Sequence, residues 1–150
     1  MKFSSVDEIL DFAIKSEERS HSFYTSLAER VERENMKQVF LDFAAEELGH
    51  KKKLLKIKRG EKLLPDQEKV MDLKIAEYVT DVEPGEDMDY QKALILAMKA
   101  EKEAYRMYSD LASAANDPEI KDILNGLAQE EAKHKLRFET EYDDNILAED

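Results

Sequence analysis

A chain of 150 residues, 42% of them hydrophobic and 39% charged, is long enough for one domain with a real core and too apolar for disorder. Its net charge of −12 sets it against a nucleic-acid partner, and the absence of cysteine excludes disulfides, thiol catalysis, zinc fingers and iron–sulfur clusters held by cysteine. The N-terminus has no basic region followed by an apolar stretch, and the longest apolar run, Ala93 to Met98, is far too short to span a bilayer, so a soluble cytoplasmic protein without a membrane partner is expected.

Steps of four and three place Val6, Leu10, Ala13, Glu17, Ser20, Tyr24, Leu27 and Val31 on one face, which predicts a first helix over residues 5–32. Ser5 followed by Glu8 is a capping box at its start, and Arg33, Glu34 and Asn35 form a polar turn at its end. A second helix, 36–59, carries Met36, Phe40, Phe43, Glu47, His50, Leu54 and Ile57, with Asn35 as N-cap and Gly60 as stop. Its basic stretch, Lys51 to Lys58, reads as exposed last turns, where cations suit the helix dipole. Residues 60–88, with Pro65, an apolar stretch from Met71 to Val79 and a Pro84-Gly85 turn, are too long for a tight loop and predict a crossover, with a short helix inside it, that leaves the second and third helices parallel.

The third helix, 89–115, opens on Asp89 and carries Tyr90, Leu94, Ala97, Glu101, Ala104, Tyr108, Leu111 and Ala115. Asp117 before Pro118 opens the fourth, 118–142, with Ile120, Leu124, Leu127, Glu131, His134 and Phe138 on its seam. The two helical pairs are a repeat: Glu17 and Glu101, Tyr24 and Tyr108, Glu47 and Glu131, His50 and His134, Leu54 and Phe138 all stand 84 positions apart. The expected fold is all-α, a ferritin-like four-helix bundle of two antiparallel hairpins joined by a long crossover.

Each seam is apolar except in its middle, where Glu17, Glu47 with His50, Glu101, and Glu131 with His134 interrupt it. A carboxylate buried without a partner costs several kcal/mol, so four at one level require compensating charge, which two divalent cations would supply. Residues three apart on a helix reach one interior point together, so each Glu-x-x-His pair can serve one site. A single such pair on a charged helix is ordinarily a surface feature, whereas two at equivalent seam positions, with two further seam glutamates, are not. Oxygen and imidazole ligands suit redox-active iron or manganese, with zinc a possible substitute, whereas structural zinc favours thiolates.

One Glu from each of two helices plus Glu-x-x-His from the other two is the ligand pattern of ferritin-like di-iron proteins. Among these the chain resembles the helical domain of rubrerythrin, over all four helices. The resemblance implies two iron ions with Glu17 and Glu101 as terminal ligands, Glu47 and Glu131 as bridges, and His50 and His134 one to each metal. It also implies that Tyr24 and Tyr108 hydrogen-bond the ligand carboxylates. Two departures stand out: rubrerythrins carry a further glutamate one turn after the third-helix ligand, where this chain has Ala104, and the cysteines of a rubredoxin domain are missing. Glu103 lies nearby but on another face. The implied activity is therefore reduction of hydrogen peroxide or dioxygen with electrons from a separate rubredoxin-like protein or flavoprotein, in a homodimer or other small homo-oligomer. The alternatives are a ferroxidase handling iron in the manner of ferritin, and a non-catalytic bundle that the metal merely stabilises. Glu18, Glu46 and Glu130 are expected to be solvated, His21, whose counterpart is Tyr105, to lie at the rim, and Gly49 and Gly126 to mark close helix approach.

Overall fold

The computed structural model describes residues 6–60 and 89–144, and the described residues form four helices: α1 (Val6–Arg30), α2 (Glu34–Arg59), α3 (Tyr90–Ala114) and α4 (Pro118–Tyr142). The expected capping box at Ser5, the body of the crossover with its short helix, and the last residues of the acidic tail lie outside them. Asp89 caps α3 by accepting from the Lys92 N–H, and Asp117 caps α4 by accepting from the N–H groups of Glu119 and Ile120, with Pro118 in the first turn.

Helix α2 departs from its expected start. Arg33, not Asn35, occupies the N-cap, and no side chain caps the helix there. The cause is tertiary: Arg33 Nη1 donates to Glu141 Oε1 at 2.5 Å, pinning the α1–α2 turn to α4 and setting the helix going one residue before Asn35. Gly60 does end α2, its N–H donating to the Lys56 carbonyl, but in extended conformation (φ −68°, ψ 138°), so the left-handed freedom of glycine is not used.

Polar contacts fix the directions of the helices. His21 Nδ1–H donates to the Ala44 carbonyl at 2.9 Å and Lys51 meets Glu18 at 3.0 Å, making α1 and α2 an antiparallel hairpin. The Tyr90 hydroxyl donates to Glu141 at 2.9 Å and the Gln91 amide to the Tyr142 hydroxyl at 3.1 Å, doing the same for α3 and α4. Between hairpins, Tyr24 meets Glu101 while Tyr108 meets Glu17, and Phe40 stacks near Phe138 while His50 reaches Glu130. Both cross-hairpin pairs, α1 with α3 and α2 with α4, are thus antiparallel, and α2 and α3 run the same way, as a single long crossover requires.

The core is divided in two. Ile9, Leu10, Leu54, Leu111 and Leu124 belong to a cluster at one end, and Tyr24, Met36, Phe40, Leu94 and Phe138 to another. The polar seam residues lie between them. A further buried acid, Glu141, sits near the end of α4 and is satisfied by Arg33, Tyr90 and Arg137. Among the described residues no helix is long and apolar enough to cross a membrane.

Gly49 and Gly126 do not mark close approach: a Cβ placed at either would find nothing within 4 Å. Their cost in helix propensity is therefore uncompensated by packing among the described residues. Gly49→Ala and Gly126→Ala are each expected to raise the free energy of unfolding by about 1 kcal/mol. Chemical denaturation at matched metal content checks this, and a loss of stability in both variants would contradict it.

Candidate metal centre

The seam interruptions converge. Glu17 from α1, Glu47 and His50 from α2, Glu101 from α3, and Glu131 and His134 from α4 are each no more than 2% exposed. His50 Nδ1 lies 2.7 Å from Glu131 Oε1, 3.5 Å from Glu17 Oε1 and 3.6 Å from Glu47 Oε1. His134 Nδ1 lies 3.3 Å from Glu47 Oε1 and 3.5 Å from Glu101 Oε1. The potential ligand atoms form two groups, each within a 4.8 Å span: Glu17, Glu47, His50 and Glu131 in one, and Glu47, Glu101, Glu131 and His134 in the other. Glu47 and Glu131 belong to both.

One atom of each of the six residues is buried without a hydrogen-bond partner: Glu17 Oε2, Glu47 Oε1, His50 Nδ1, Glu101 Oε2, Glu131 Oε1 and His134 Nδ1. A buried polar atom left unsatisfied costs about 1–3 kcal/mol, and six around one interior point would be a large liability in a structural layer. For a metal site the same six atoms are the donor set, of the oxygen and imidazole chemistry that suits iron or manganese. The residues present fit a metal centre.

The remaining oxygens of Glu101 and Glu17 are held by tyrosines of the opposite hairpin, Tyr24 donating to Glu101 Oε1 and Tyr108 to Glu17 Oε1. Burial, then the neighbouring carboxylates, raises both phenols well above their ordinary range, so they remain donors. Burial and the charges of Glu17 and Glu101 push Glu47 up, and burial with Glu101, Glu47 and Glu17 pushes Glu131 up. Glu101 is also opposed by burial, yet the closeness of Glu131 and His134 takes it below the usual carboxylate value. For His50 burial favours the neutral ring, but Glu131 and Glu17 outweigh it and raise the imidazolium to about 11. His134 is raised too, by Glu101 and Glu46 against burial. Crowded carboxylates without a cation retain protons.

Glu46 and Glu130 are not simply solvated. Although their side chains are about half and two-fifths exposed, Glu130 accepts from His50 Nε2–H and Glu46 from His134 Nε2–H at 2.7 Å. They precede the two Glu-x-x-His pairs and are themselves 84 positions apart, a signal present in the repeat. Glu18 pairs with Lys51 and is half-exposed. His21 lies outside the cluster, bonded to a backbone carbonyl. Ala104 is partly buried against the core and brings no carboxylate, and Glu103, which pairs with Arg106 at 3.5 Å, belongs to neither metal-ligand group.

A protein-family model described as rubrerythrin matches residues 8–142. The chain belongs to the rubrerythrin family. A crystal structure from Thermotoga maritima, described as that of a ferritin-like diiron-carboxylate protein, superposes with a TM-score of 0.75 at 21% identity over 94% of this chain and 96% of that one, a likeness of fold. A hypothetical protein from Pyrococcus furiosus superposes with a TM-score of 0.71 at 27% identity, over 93% of this chain and 89% of its own. No curated protein gives a significant match. As a rubrerythrin-family member of ferritin-like fold, the chain has a carboxylate–histidine cluster that fits a di-iron protein.

The charge pattern of the rubrerythrin cluster sets its response to pH. Glu47, Glu131, His50 and His134 all have folded pKa values above their unfolded ones, so the metal-free folded state holds more protons than the unfolded state. Their stabilising contribution is complete below the unfolded values and is lost as pH rises toward the folded ones. Glu101 has the opposite sign, but its contribution is already complete above its ordinary value of 4.5. Metal-stripped protein should therefore lose thermal stability from about pH 5 to about pH 9, while stabilisation by added metal grows, since the ligands bind deprotonated. Calorimetry with and without metal checks this; metal-free protein more stable at the alkaline end would contradict it.

Proposed function

We propose that this chain is a di-iron oxidoreductase that reduces hydrogen peroxide or dioxygen with electrons from a separate donor. The observation that carries the reading is that two groups of potential ligands, one histidine in each, share Glu47 and Glu131. That sharing supports Glu47 and Glu131 as bridges, Glu17 and Glu101 as terminal ligands, and one imidazole per ion. When bound as a ferrous pair, iron supplies two electrons, one per ion, for reductive cleavage of the O–O bond. Manganese or zinc could occupy the same donors, zinc without redox chemistry.

The protein's own residues do the rest. The two shared carboxylates would hold the two ions next to one another, and the tyrosine hydroxyls occupy one oxygen of each terminal carboxylate and leave the other without a protein partner. Apolar layers on both sides exclude bulk water, which strengthens the electrostatic interactions inside. The 150 residues contain no cysteine to hold an iron–sulfur or rubredoxin-type centre, which supports an external donor, a rubredoxin-like protein or a flavoprotein. A homodimer or other small homo-oligomer in the cytoplasm is part of the same reading.

Two measurements test it. Stopped-flow mixing of the ferrous-loaded protein with hydrogen peroxide should oxidise the iron within the mixing experiment, and iron that stays ferrous would refute a peroxidase while leaving metal binding intact. Glu47→Ala should remove a carboxylate common to both groups and lower occupancy from two ions per chain to one or fewer. Retention of two ions in that variant, by elemental analysis of anaerobically isolated protein, would overturn the ligand assignment.

A further inference from the structure

Each histidine of the cluster spends one ring nitrogen on the interior and still has another to place. In both cases Nε2–H is taken by a carboxylate from the opposite hairpin: His50 of α2 donates to Glu130 of α4, and His134 of α4 donates to Glu46 of α2. The histidines are almost fully buried and the glutamates lie partly in solvent, so the bonds run from the cluster outward to the α2–α4 face. The 84-residue repeat relates the two bonds to one another.

We propose that Glu46 and Glu130 are positioning residues for the metal centre, each fixing the tautomer and orientation of the opposite hairpin's histidine so that its Nδ1 lone pair is presented to the metal. The inference rests on the metal-site reading above. A carboxylate only accepts hydrogen bonds, so its place beside Nε2 assigns the ring proton to that nitrogen. In the neutral ring Nδ1 is then the lone-pair atom, and it is the nitrogen that lies among the carboxylate oxygens of both ligand groups. A half-turn of the ring would break the bond to the glutamate and carry Nδ1 away from the cluster. An anionic acceptor also makes the imidazole a stronger donor to a metal.

The competing explanation is a pair of surface staples that merely hold the hairpins together. Ion pairs of that sort at the protein surface contribute little, and they would affect unfolding alone. Positioning predicts something a staple does not, a change in the metal itself.

The test compares Glu46→Ala, Glu130→Ala and the two Gln variants with the parent chain and with Glu18→Ala. Glu18 also adjoins a cluster residue, but its ion pair is with Lys51. Affinity for cobalt(II), measured by competition with a chromophoric chelator, should fall about tenfold to a hundredfold in each Ala variant. It should fall less in the matching Gln variant, whose carbonyl oxygen still accepts, and stay at the parent value in Glu18→Ala. With iron bound, the midpoint potential should move upward in the Ala and Gln variants, because a negative charge behind each imidazole is lost. Circular dichroism of the metal-free proteins establishes that all are folded. Parent-like affinity in both Ala variants, or lowered thermal stability with affinity unchanged, overturns the inference alone. A parent chain that takes up no metal overturns the metal-site reading and this inference with it.

Discussion

Four carboxylates share one level of an otherwise apolar interior, and the rest of the molecule is arranged around that electrostatic problem. Protons can answer it, as the upward shifts of Glu47, Glu131, His50 and His134 show, but each proton satisfies one oxygen and leaves the cluster coupled to pH. A pair of divalent cations answers it with a balanced charge and uses the atoms that protein donors leave alone. The apolar layers above and below make the difference matter, because interactions among the six side chains are poorly screened there.

The repeat solves the geometric half of the problem twice with one design, and then breaks its own symmetry. The six cluster residues, the tyrosines and the outer glutamates of the two halves correspond at a constant offset, while their packing does not: Phe40, Phe43 and Phe138 correspond to Leu124, Leu127 and Leu54. Phe43 stacks on His134 with ring centroids 3.9 Å apart and planes 20° apart, whereas the residue equivalent to Phe43 on the other side is aliphatic. The two halves of the centre thus share a donor set but not an environment. Ring stacking restrains one imidazole further, leaving the other more dependent on its glutamate.

What could be read from the sequence followed from periodicity. A glutamate or histidine on an apolar seam is conspicuous because burial has a cost, and all six cluster residues were visible for that reason. The helix starts at Asp89 and Asp117 were visible because their caps are local. The features that escaped depend on contacts between distant segments. Arg33 replaces Asn35 at the start of α2 because Glu141, far along the chain, holds it. Glu141 itself has no acidic counterpart in the repeat, where the equivalent residue is Ile57. Glu46 and Glu130 lie just off the seams and partly in solvent, so periodicity classes them with ordinary surface charge; only their matched positions in the repeat set them apart.

The direction of the helices is what allows these reciprocal bonds to form. Side chains on a helix slant toward its N-terminus. Because α1 and α3 are antiparallel, Tyr24 slants toward the level of Glu101 while Glu101 slants toward Tyr24, and Glu17 and Tyr108 meet in the same way. In a bundle whose helices alternated direction along the chain, α1 and α3 would be parallel, equivalent residues would share a level, and each tyrosine would stand two turns beyond the opposite glutamate with both slanting the same way. The same holds for α2 and α4, where antiparallel packing sets Glu46 beside His134 and Glu130 beside His50. A short α2–α3 loop would give the alternating bundle; a connection long enough to run its full height permits the other. The 29-residue stretch from Gly60 to Met88 has the length for that connection, and so for the arrangement that brings the cluster together.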